Sequence, residues 1–175
     1  MSGAEDPYVY PGTTVLRNRL GTTDQDYLDK QERSLVVLRS RRGVPRGAFD
    51  LAHLRAIHRH LFQDIYDWAG ELRTVEISKG RQQFQFRKFI ETGMGDVHGR
   101  LVRSRFLKGL SPAAFAEAAA VIVGDINYIH PFREGHRLDL ARIDGPAWIA
   151  ASVASHAADY APMAAVLLAA LKPRS

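Results

Sequence analysis

Apolar residues recur along this chain at two different periods, and the change between them marks its organisation. Leu28, Leu35 and Leu38 fall on roughly helical spacing behind a capping-box pattern at Thr23 and Asp26, and Gly43 with Pro45 ends that helix. Asp50 can cap a second helix, in which Leu51, Leu54, Ile57 or His58, Leu61 and Ile65 recur every three or four residues until Gly70 closes it. From Val75 the period becomes two. Val75 and Ile77, then Phe84 and Phe86, alternate with polar residues around Ser78-Lys79-Gly80-Arg81-Gln82. Two short strands about a glycine-containing loop predict a β-hairpin. Helical spacing returns with Ile90, Met94, Val97, Leu101 and Phe106 or Leu107. Ser111-Pro112 then pairs a capping serine with proline in the first turn. Behind it Phe115, Ala118 or Ala119, Ile122, Ile126 and Ile129 line one face, among small residues that favour close packing.

Pro131 disfavours helical dihedrals at the residue before it, so this helix should stop at His130, which enters a loop. Asp144-Gly145-Pro146 can open a helix carrying Trp148, Ile149 and Val153, and a last one spans Pro162 to Leu171. The expected fold is all-α with one hairpin flap. It is expected to form a single domain over residues 1–175, its core at about 48–160 and its flap at about 72–87.

Composition narrows the function classes. The 175 residues are 46% hydrophobic and 25% charged, ordinary for a globular protein. By composition no membrane span of ~18 apolar residues is expected, and no basic start or apolar stretch suggests a secretory signal. The absence of cysteine removes disulfides and thiolate metal sites, in keeping with a cytoplasmic location. A net charge of +5 favours an acidic partner, but the one dense basic cluster, Arg39, Arg41, Arg42 and Arg46, sits where it would complement a helix dipole. A nucleic-acid partner is therefore not expected.

The chemistry concentrates in His130-Pro131-Phe132-Arg133-Glu134-Gly135. His130 can act as a base, and Phe132 is spaced to turn inward and anchor the loop. Glu134 is a carboxylate of the kind that holds Mg²⁺ beside substrate phosphates. Gly135 allows the backbone shapes in which successive N–H groups form an anion nest. Histidine at a helix end can equally be a structural cation, and Glu-Gly is a common turn dipeptide. Elsewhere His53, His58 and His60 make no metal site: on a helix the first two diverge by about 140°, and His53 and His60 lie ~10 Å apart. Surface or capping roles are expected for them. His98, His136 and His156 have no partners in the sequence, and Trp68 and Trp148 are expected in the core.

The run Asn127-Tyr128-Ile129-His130-Pro131-Phe132-Arg133-Glu134-Gly135 resembles the start of the Fic-family signature, H-P-F-x-[D/E]-G-N-G-R-x-x-R. The likeness extends to Tyr8–Gly12, to Leu16–Gly21, to His58–Arg73 and to the flap at Thr74–Phe86, in order and at family-like spacing. This resemblance implies adenylylation, the transfer of AMP from ATP to a hydroxyl side chain of a target protein. It implies His130 as the base, Glu134 as the Mg²⁺ ligand and Gly135 at the anion nest. Lys79 and Gly80 of the flap would lie by the nucleotide, and the target would dock along the flap edge by strand addition. The inhibitory pattern [S/T]-x-x-x-E-[G/N] known in the family has no counterpart, because Glu-Gly occurs only at Glu134-Gly135. That implies a member held in check by a separate small antitoxin protein.

After Gly135 the pattern changes to His136-Arg137-Leu138-Asp139-Leu140. One alignment lets Arg137 stand for the first arginine of the signature. A second fits better: His136 to Ser152 resembles the stretch that follows the motif helix, so that about a helix's worth of chain, with N-G-R-x-x-R, is absent. Losing an element of ~10–14 residues would be expected to open the core. The alternative reading is thus an inactive Fic-like module that binds a target or antitoxin.

Overall fold

Side-chain caps start three of the helices in the computed structural model, which describes residues 6–79, 82–133 and 145–171. Asp24 accepts from the Tyr27 N–H and opens α1 (Gln25–Ser40), so the cap is this aspartate and not Thr23. Asp50 accepts from the His53 N–H and opens α2 (Leu51–Phe62), as its position ahead of the apolar series predicts. Ser111 caps α4 (Pro112–Ile129), with proline in the first turn. Between them lies α3 (Ile90–Arg103), and α5 (Gly145–His156) and α6 (Ala161–Leu171) follow. The described β structure is the pair β1 (Ser78–Lys79) and β2 (Gln82–Gln83), plus an isolated bridge from Val9 to Leu16. The fold is all-α with one hairpin.

The described residues group into two compact units, one of residues 6–76 with 132–133, the other of residues 77–131 with the C-terminal helices. In the first, Leu28 of α1 packs with Leu61 and Phe62 of α2, with Ile65, Tyr66 and Ala69, and with Tyr8, Val15 and Leu16 of the N-terminal strap. Glu32 is buried here and accepts from the Tyr66 hydroxyl, which satisfies a group that would otherwise be costly to bury. The second helix ends at Phe62 rather than at Gly70. Turns follow it, and Asp64 among them takes a bidentate pair from Arg39 at 2.6 Å for each bond.

His53 and His58 are buried rather than on the surface. His53 accepts from the Phe49 N–H and bonds the Pro45 carbonyl through Nε2 at 2.8 Å. No group of three potential metal-ligating side chains occurs among the described residues.

In the second unit α4 is the hub, packed against α3, α5 and α6. Its most buried face is the small one, Ala116, Ala119, Ala120 and Gly124, whereas Phe115, Ile122 and Ile126 are half-buried. Small side chains win because they let neighbouring backbones come close. A Cβ on Gly124 would stand 2.8 Å from Ser155 Cβ of α5 and 2.8 Å from the Tyr160 ring. Asp125 beside it accepts from Tyr160 at 2.7 Å and pairs with Arg100 of α3 at 2.5 Å. At 18 residues with a mean hydropathy of 1.2, α4 is long and apolar enough, by length and composition, to cross a bilayer, contrary to the expectation that no segment would be.

Two outcomes follow. Gly124→Ala should lower stability by ~1–3 kcal/mol through overpacking, despite the ~1 kcal/mol that alanine gains in helix propensity, as read by denaturant unfolding. The Arg39 guanidinium holds the Asp64 carboxyl below the usual carboxylate range. A depressed folded-state pKa stabilises the fold above the ordinary carboxylate pKa, and that contribution disappears as pH falls through the depressed value. The stability gap between the protein and Asp64→Asn should therefore be present at neutral pH and close on acidification.

Candidate active site

The C-terminus of α4 delivers His130 in a left-handed conformation, φ 45° and ψ 69°, with its N–H still bonded to the Ile126 carbonyl at 2.9 Å. Pro131 does stop the helix, but by this route and not through the extended backbone that a residue before proline usually adopts. For a side chain with a Cβ the left-handed region costs ~1–2 kcal/mol, and such strain concentrates where function fixes a group.

The flap reaches this residue. The Phe84 and His130 rings stack with centroids 4.5 Å apart and planes 28° from parallel. The next residue donates its backbone N–H to the Tyr128 carbonyl at 3.2 Å, tying Gln85 to the last turn of α4. That bond explains why the strands are shorter and lie elsewhere than the alternation predicts. Backbone pairing runs Ser78 to Gln83 and Lys79 to Gln82, inside the stretch expected to be loop, because the chain beyond Phe84 bonds to α4 instead of across the hairpin. Gly93 of α3 allows the approach: a Cβ there would meet Gln85 Nε2 at 2.9 Å and Ile129 Cδ1 at 3.1 Å.

Lys79 is exposed on β1, on the element expected to carry it. Gly80, Glu134, Gly135 and Arg137, and the break after Gly135, lie outside the described residues. Of the six expected site residues, His130 and Lys79 are therefore described, and His130 faces the hairpin. The stack by Phe84 and the clearance at Gly93 were not read from the sequence. Phe84 registers there only as one apolar residue in an alternating strand, and Gly93 falls between the apolar positions of the helical series that follows.

In the other unit the chain just after His130-Pro131 is fastened from three directions. Phe132 is buried and stacks on His58 at 4.0 Å and 22°, which bears out its role as the loop anchor. His58 is itself fixed: its Nδ1 accepts from the Gly70 N–H at 2.8 Å, leaving the proton on Nε2. Gly70 has φ +85°, and a Cβ there would strike Arg59 Cβ at 2.8 Å and the Arg55 carbonyl at 2.9 Å. Trp68, half-buried against the core, donates from Nε1 to the Arg133 carbonyl at 2.7 Å, and the Arg133 guanidinium bonds Asp6 at 2.8 and 3.1 Å.

Residues 48–136 match the family described as Fic/DOC. A probable protein adenylyltransferase of Sinorhizobium fredii, y4lH, is 37% identical over 182 residues, spanning 94% of this chain and 95% of that protein. Those 182 positions outnumber the 175 residues of this chain, so the relative carries residues opposite gaps in it. The protein adenylyltransferase VbhT of Bartonella schoenbuchensis is 39% identical over 137 residues, 77% of this chain but 29% of VbhT. Among solved structures, the BepC effector of Bartonella tribocorum with bound AMPPNP superimposes with a TM-score of 0.81 at 25% identity, covering 96% of this chain and 97% of that one.

Phe132→Ala should remove ~3–5 kcal/mol, the range for truncating a buried phenylalanine, and should release the His58 ring, seen as a changed environment for its Cε1 proton in NMR.

Proposed function

Because this chain belongs to the Fic/DOC family, we propose that it is a protein adenylyltransferase, moving AMP from ATP to a hydroxyl-bearing side chain of a target protein. The observation that carries this reading is His130, held at the end of α4 and against the ring of a flap residue. Two relatives named as adenylyltransferases and a similar fold with an ATP analogue bound support it.

In the proposed step the target's hydroxyl oxygen attacks the α-phosphorus of ATP while its proton passes to His130. The bond from the α-phosphorus to the bridging oxygen breaks, and pyrophosphate leaves. Lys79 and Gly80 would border the nucleotide from the flap. Gly135 would open the anion nest and Arg137 would meet the phosphates. Glu134 is the carboxylate that would hold Mg²⁺, which would supply charge neutralisation at the phosphates. The target's segment would lie along the hairpin edge, main chain to main chain. A separate small inhibitory protein would restrain the activity, as expected for the toxin of a toxin–antitoxin pair. Such a protein would act in a bacterial cytoplasm or, like the translocated effectors, in a host cytosol.

A second reading is favoured by one observation. The family match ends at residue 136, where the arginine-bearing half of the signature should begin. On that reading the chain is a Fic-like module that docks a target or inhibitor without transferring AMP. Incubation with α-labelled ATP, Mg²⁺ and candidate targets separates the two. The enzyme reading expects label on protein, reduced about a hundredfold to ten-thousandfold by His130→Ala. A folded chain that never incorporates label leaves the binding module.

A further inference from the structure

We propose that Phe84 is a positioning residue: its ring fixes the rotational setting of the His130 imidazole, so that the flap dictates where the base points. As a role in catalysis this rests on the adenylyl-transfer reading above; as a physical arrangement it stands on geometry alone.

A histidine ring turns about a soft, roughly two-fold torsion, and a base must present one particular nitrogen to the hydroxyl it deprotonates. The left-handed backbone sets where the His130 side chain leaves the main chain, but it leaves that last torsion open. A flat neighbour 4.5 Å away and 28° from parallel narrows it to the two settings that share one ring plane, within the range of offset aromatic stacking. For this to work the neighbour must itself be immobile.

Phe84 is held on both sides. Its N–H bonds the Ile77 carbonyl at 3.3 Å across the open end of the hairpin. The following Gln85 is bonded through its backbone to Tyr128 at 3.2 Å and through Nε2 to the Phe89 carbonyl at 3.0 Å. Gly93 presses α3 close to both Gln85 and Ile129, the residue just before the base. The platform and the base are therefore pinned to the same turn of α4. A displacement of the flap exit would be transmitted to the imidazole.

The test compares Phe84→Leu with Phe84→Tyr in the full chain, each checked for folding by its backbone NMR spectrum. In the unmodified protein the His130 ring protons should be shifted upfield by the stacked phenyl. Phe84→Leu should lose that shift and Phe84→Tyr should keep it. In the transfer assay Phe84→Leu should lower kcat about tenfold to a hundredfold with KM for ATP unchanged, the scale expected for a misplaced catalytic group, and Phe84→Tyr should restore it. Identical His130 ring resonances in the protein and in Phe84→Leu would overturn the proposal, as would an unchanged kcat in an active enzyme. If the unmodified chain shows no transfer at all, the adenylyltransferase reading fails and with it any catalytic role for Phe84, while the ring shifts still decide whether the platform exists.

Discussion

The clamp on Phe132-Arg133 is the constraint around which its own unit closes. Two residues that follow a proline keep one conformation only where contacts enforce it. Three unlike interactions enforce it: a ring stack on His58, a hydrogen bond from the Trp68 indole to a main-chain carbonyl, and a guanidinium on Asp6. None is strong alone. Together they fix a ring, a peptide plane and a charged head, and each is backed by a buried or partly buried neighbour. His58 in particular has no freedom, because its ring nitrogen takes the N–H of a glycine that no other residue could replace without a clash.

The helix that presents His130 is rigid for a different reason. Its buried face is alanine and glycine, so α5 and the residue opening α6 approach it at backbone range, and the polar trio Arg100, Asp125 and Tyr160 crosses three segments at the same level. The carboxylate of Asp125 raises the pKa of the Tyr160 hydroxyl by accepting its hydrogen bond, which keeps the donor protonated. A catalytic group benefits from such a mount, since small misplacements are costly to rate.

Caps and periods made much of this legible. Asp50 and Ser111-Pro112 mark helix starts because their side chains have little else to do there, and Ile90, Met94 and Val97 are buried as their spacing requires. On α4 the expected Ala119 and Ile129 are buried and the small residues do pack closely, whereas Phe115, Ile122 and Ile126 are half-buried, since hydrophobic spacing alone does not show how closely a neighbour can come. The cap at Asp24 lost to Thr23 for a similar reason: two good cap formers stand side by side, and only the bond to Tyr27 distinguishes them. The stack of Phe84 on His130 joins residues 46 positions apart with no shared periodicity, and nothing in either segment announces it. Surface or capping roles are what composition predicts for His53 and His58; their burial is not legible because their partners at Pro45 and Gly70 are backbone atoms that carry no signal in composition.

The change of pattern after Gly135 also has an energetic side. Val121, Ile122, Val123 and Ile126 of α4 are only half-buried, and Val153 of α5 is 57% exposed. Fully burying one such side chain is worth ~1.5–3 kcal/mol, so these helices carry apolar surface that one more helix could use. A relative that aligns over more residues than this chain possesses, and a family match that stops at 136, fit the same picture. The core nevertheless closes around Ala120, Ala151 and Met163, all fully buried, so it is less open than the loss of an ordinary helix would suggest. What the break leaves untouched is equally informative. Among the described residues, the ring stack from Phe84 and the N–H bond to Ile126 come from residues that precede His130, as do the ties that Gln85 and Gly93 make to the flap and to the last turn of α4. These described contacts of His130 and Phe84 thus lie ahead of the position where the signature pattern changes.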